Sequence, residues 1–130
     1  MKIKIVLTAF FLIVFHSISA QPIFEKWVTI KEFNAILSQT FQPAQTGNLE
    51  PIKLRSEELM NKTADLLKLD IPAEFRTKTI LSSAEKLQVK SKTLHQLIVS
   101  KVADAEILKS LTELHQILQE MTGVYTDDKK

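Results

Sequence analysis

Chemistry in this chain would have to start from histidine, since no cysteine is present to serve as a thiolate nucleophile or soft metal ligand. Past the first twenty residues only His95 and His115 remain. Each follows a leucine, Leu94 and Leu114, and so sits at the margin of an apolar helical stripe rather than at its centre. A neutral imidazole on such a core-facing margin is what a haem or a transition metal ion uses. The candidate metal ligands read from placement are therefore one or both of His115 and, on the preceding helix, His95. The plainer reading of both histidines is a boundary residue hydrogen-bonded to a neighbour or to water.

The motifs that would support more demanding chemistry are missing. There is no H-E-x-x-H, no Glu-x-x-His pair, no G-x-S-x-G and no C-x-x-C-H. Two glycines do not build a phosphate-binding loop, and no pair of acids interrupts an apolar stripe as a buried general acid and base must. The expectation is a protein that is not an enzyme.

The elements that must position the histidines are helical. Ile107, Leu111, Leu114, Leu118 and Met121 recur every three or four residues, which predicts a helix over Asp104–Gly123. Asp104 is placed to cap its first amides and Gly123 to end it in the left-handed conformation. Ile80, Ala84, Leu87, Ser91, Leu94 and Ile98 predict another, from Pro72 or Thr77 to Lys101, with a lysine-rich outer face read as ordinary solvated surface. The stretch between Ser100 and Asp104 contains neither glycine nor proline. A tight turn is nonetheless placed there, because one helix spanning both stripes would outrun partners of about 18 residues.

Upstream, Ile52, Leu59, Leu66 and Leu67, with Met60 and Thr63 at the edges, predict a helix over Pro51–Leu69 that ends before Pro72. Phe24, Trp27, Val28, Phe33, Ile36, Leu37 and Phe41 predict the first, Phe24–Phe41, with Trp27 as a core plug. Gln42–Pro51 follows as its terminating loop and the longest connection expected. No strand-like alternation occurs, so the expected fold is all-α, an antiparallel up-down-up-down four-helix bundle. In such a bundle His115 lies near mid-height and His95 about one to two turns away, nearer the connecting turn.

Residues 1–20 read as a secretory signal peptide: Lys2 and Lys4, an apolar run from Ile5 to Phe15 too short to span a bilayer comfortably, then Ser19-Ala20 before Gln21. The expected division is a signal peptide at 1–20, a bundle at 21–123 and a disordered C-terminal tail at 124–130. The chain has 17 basic and 15 acidic residues, and the excess of two is Lys2 and Lys4, so the mature chain is balanced at 15 of each. A balanced chain gives no reason to expect nucleic acid or stable membrane insertion after cleavage. The expected destination is the periplasm or the exterior. Without disulfides, packing or a ligand must hold the domain. The expected partner is a protein or small ligand, and the aromatic-rich first helix could serve a second copy.

Trp27, the run EFNAILSQTFQPAQTGNLEPIK (Glu32–Lys53) and LHQILQEMTG (Leu114–Gly123) resemble a group of small secreted bacterial helical-bundle proteins. These look like metal or haem binders of the cytochrome b562 or c′ type. The resemblance implies histidines in the first helix and its turn and an H-x-x-x-H pair in the last helix. Here Asn34, Gln42 and Gln119 stand at three of those places and only His115 matches. Side-chain amides are poor substitutes for imidazole at a transition metal. The first helix also lacks a methionine for the opposite axial position. What the resemblance implies is thus a largely degenerate site, with residual binding through His115 and Gln119.

Overall fold

The computed structural model describes residues 21–68 and 71–128; the expected signal peptide, residues 1–20, lies outside them. Among the described residues there are five α-helices and one short 3₁₀ turn, and no strand. We number the helices α1 (Gln21–Lys26), α2 (Val28–Gln45), α3 (Glu50–Lys68), α4 (Lys78–Val99) and α5 (Asp104–Asp128), with the 3₁₀ turn at Ala73–Phe75 before α4. Each helix packs on the next, except that α1 and α2 form one broken segment, and α2 also packs against α5. The fold is all-α, small and bundle-like. No described helix is long and apolar enough to cross a membrane.

The last two helices follow their stripes. Ile80, Ala84, Leu87, Ser91 and Leu94 of α4 are buried, as are Ile107, Leu111, Leu114, Leu118 and Met121 of α5. The turn between them falls where helix length required it, between Val99 and Asp104. Lys101 adopts φ +59° there. Its amide donates to the Ile98 carbonyl and that of Val102 to the Leu97 carbonyl, which closes the helix in the paired pattern usually built on glycine. The same pattern ends α2, where Gly47 (φ +96°) donates to Ala44 and Asn48 to Pro43.

Several sequence expectations are corrected. The first predicted helix is two, because Trp27 leaves the helical region (φ −111°, ψ 91°) and re-phases the chain. Val28, counted on the buried face, is consequently 61% exposed, while Trp27 itself is buried as expected. Proline does not stop α2 at Phe41: Pro43 lies inside its last turn, and its carbonyl collects the amides of Thr46 and Asn48. Among the described residues the longest connection is accordingly not Gln42–Pro51 but the stretch 71–77 before α4. Leu67 is at the surface, since its neighbour Leu66 takes the inward position. Asp104 is the first residue of α5, and its carboxylate accepts from Lys53 Nζ at 3.0 Å. Gly123 is not in the left-handed conformation and does not end the helix, which runs on as Asp104–Asp128.

Trp27 has a structural reason to break the helix. Its ring stacks on Phe75 at 5.9 Å and 14°, and both are fully or nearly fully buried. An ion pair from Lys26 to Glu74 at 3.3 Å lies beside this stack. Thr77 then caps α4, its hydroxyl accepting from the Ile80 amide at 3.1 Å.

Candidate functional site

The three candidate ligands face different company. His95, half-buried on α4, lies with Nδ1 2.8 Å from the Ser56 hydroxyl of α3. His115, half-buried on α5, stacks its ring on Phe41 of α2, centroids 4.2 Å apart and planes 19° from parallel. Gln119 is exposed. No hydrogen bond or ring contact joins any two of these residues among those described. Nor do three histidine, cysteine or acidic side chains converge anywhere among the described residues in a group able to hold a metal ion.

The electrostatics of the histidines follow from this placement. Burial against Phe41 withdraws water from the His115 ring and pushes its pKa below the ordinary value of 6.5. Its ring nitrogens receive no hydrogen bond from the described residues. From Phe33 to Leu49 the chain carries no charged residue, so the part of α2 around Phe41 brings no carboxylate, and Glu32 nearer its start is paired with Lys62.

The α3–α4 interface is built differently. Besides Ser56 and His95 it holds Thr63 and Ser91, both fully buried, whose hydroxyls lie 2.6 Å apart. Each also lies within reach of a carbonyl of its own helix, Thr63 of Met60 at 2.7 Å and Ser91 of Gln88 at 3.1 Å, so that one hydroxyl donates across the interface while the one that accepts it donates to its own carbonyl. The hydroxyls therefore share a hydrogen-bond network, and no buried side-chain polar atom among the described residues lacks a partner. Ser91 was visible in sequence as a polar residue on an apolar stripe. Ser56 gave no such signal.

Outside this interface runs a groove of about 400 Å³ lined by Met60, Asn61 and Ala64 of α3 and Gln88, Val89 and Lys92 of α4. On the other side of Val89 a second groove of about 380 Å³ is lined by Ser82, Glu85, Lys86, Lys90 and, from α5, Ile117. Val89 is 62% exposed between them. Sequence reading missed these grooves. The available signal was an aliphatic residue, Val89, off the buried stripe and among lysines.

With the geometry in hand, comparison with known families, curated proteins and solved structures yields no match for this chain. The class of the protein therefore rests on its own architecture, a small all-helical bundle-like fold.

Proposed function

We propose that the chain is exported through residues 1–20 and works as an antiparallel four-helix bundle that binds a partner or small ligand without catalysing a reaction. The antiparallel order is supported by contacts whose numbering runs in opposite senses. Glu32 pairs with Lys62 and Gln39 with Arg55 across α2 and α3, while Ser56 meets His95 and Thr63 meets Ser91 across α3 and α4. Short connections at Thr46–Leu49 and Ser100–Ala103 favour neighbours of this kind.

The observation that carries the binding reading is where the polar groups and the open space lie. The buried hydroxyls of Thr40, Thr63, Ser91 and Thr122 are engaged in a pair or on their own helix carbonyls, and the concave surface lies outside, on both sides of α4. Groups already engaged in holding helices together are poorly placed to exchange protons with a substrate. Native mass spectrometry of protein recovered from its own host tests the proposal. The expected result is a chain beginning at Gln21 with added mass from a retained ligand or partner. A chain that keeps residues 1–20 removes export, and a bare mass removes the binding reading.

A second reading, a haem or transition metal held by His115 with Gln119 and His95, is favoured by one observation. The His115 imidazole is half-buried, biased toward its neutral form and without a hydrogen bond to either nitrogen from any described residue. Adding haem or copper(II) must then raise the melting temperature and alter the visible spectrum, since a ligand selective for the folded state stabilises it. No change in either eliminates this reading.

A further inference from the structure

We propose that the groove between α3 and α4 binds a free medium-chain carboxylic acid, its carboxylate on Lys92 and its hydrocarbon chain along Met60, Ala64 and Val89; this rests on the binding reading above.

Three features carry the assignment. The groove is lined on α3 by Ala64, half-buried and carrying only a methyl group, opposite Gln88 and Val89 of α4. Its volume of about 400 Å³ falls at the lower end of the roughly 300–1,000 Å³ usual for small-ligand sites. Its lining also has a definite polarity, with apolar side chains alongside the two amides Asn61 and Gln88 and a single ammonium, Lys92.

The charge pattern distinguishes this groove from its neighbours. The groove beside Ile117 contains Glu85 as well as Lys86 and Lys90, and Lys90 is 3.7 Å from Glu113. A third, of about 280 Å³ between α4 and α5, is lined by Glu106 and Glu113 against Lys90 and Lys109. Both of these grooves are lined by acids as well as cations, and both include Lys90, which is paired. No acid lines the α3–α4 groove, and Lys92 makes no ion pair with any described residue. An anion with an apolar tail complements one free cation beside a methionine, an alanine and a valine. A cationic or fully polar ligand would leave either the charge or the apolar wall unmatched.

Sodium octanoate is the probe, titrated into the full chain with methyl groups of Met, Ala and Val labelled for NMR. The expected result is saturable shifts centred on Met60, Ala64 and Val89, with octylamine giving none. Lys92→Gln should weaken binding about fivefold, the equivalent of roughly 1 kcal/mol for one partly exposed charge contact. Ala64→Leu, a good helix former that fills the groove, should abolish the shifts while circular dichroism keeps its helical signal. Lys92→Gln lies at the surface and keeps the test decisive if Ala64→Leu fails to fold. Absence of saturable shifts, equal shifts with octylamine, shifts centred instead near Ile117, or unchanged binding by Lys92→Gln overturns the assignment. If octanoate fails while host-purified protein carries another mass, the groove assignment falls and the binding reading stands; if both measurements are blank, both fall.

Discussion

His95 and His115 lie at similar depth in the same bundle, yet the interfaces around them use opposite means. Between α3 and α4 the helices are tied by hydroxyls, with His95 bonded to Ser56 and Thr63 to Ser91. Between α2 and α5 a flat aromatic contact, Phe41 on His115, does the joining. Hydrogen-bonded pairs fix helix register, because an unmatched buried hydroxyl costs about 1–3 kcal/mol. Stacked rings tolerate sliding and draw on buried area and ring electrostatics. The lesson is that imidazole takes its role from what it faces: in one interface it completes a polar network, in the other it behaves as an aromatic ring whose charge is unwelcome.

The comparison can be broken most forcefully on the aromatic side. Phe41→Ala should cost about 3 kcal/mol or more, the usual penalty for losing a buried phenylalanine. Urea denaturation measures this directly. The same variant should return the His115 pKa toward 6.5, readable by NMR titration, since the desolvation that lowers it comes with the packing. A depressed pKa that persists without Phe41 would show that other neighbours dry the ring.

On the hydroxyl side, Thr63→Val and Ser91→Ala should each cost about 1 kcal/mol, because the surviving hydroxyl keeps its own helix carbonyl. The double variant should cost less than the sum, and that shortfall in a double-mutant cycle is the measure of the contact. Strict additivity would mean the two hydroxyls are neighbours without being partners.

The histidine itself offers a smaller, pH-dependent effect. His115 has a folded pKa below its unfolded value, so the unfolded chain takes up its proton first as pH falls. Its stabilisation is therefore complete above the ordinary value of 6.5 and declines as pH drops through the interval down to the depressed folded value. His115→Phe keeps a ring over Phe41 and removes the titration. Its melting temperature should gain on the wild type as pH is lowered from about 7 to 5. Parallel curves would show that folding does not alter this proton equilibrium.

The smallest effect separates the interfaces from the turns that join them. Lys101→Gly relieves a left-handed backbone at a position where glycine is the usual occupant. A gain of up to about 1 kcal/mol is expected, with the spectrum of either histidine unchanged. A loss would mean the lysine side chain contributes something its conformation does not reveal.

How far the sequence led depends on the kind of signal. The stripes of α4 and α5 were legible, with Ile98 alone half-buried at the end of α4, because regular spacing and regular burial are the same geometric fact seen twice. The turn at Lys101 was legible only through length: a left-handed lysine is locally silent, whereas Gly47 announces itself. The break at Trp27 was hidden because its cause, Phe75, lies 48 positions away. That one interruption moved Val28 to the surface. Both histidines were found as margin residues, but no spacing rule could tell that one would meet a serine and the other a phenylalanine. Those identities are set by which helices become neighbours. The grooves were illegible for the same reason, being properties of two helices at once.

Trp27 is the only tryptophan in the chain, and its ring lies against the segment joining α3 to α4. The protein thus contains its own optical gauge. Emission from that indole should be blue-shifted in the native state and should move to longer wavelength when the α3–α4 connector lifts away, ahead of any loss of far-ultraviolet helical signal if the connector opens first. A single cuvette can therefore time the loosening of one end of the molecule against the melting of its helices, with no label attached.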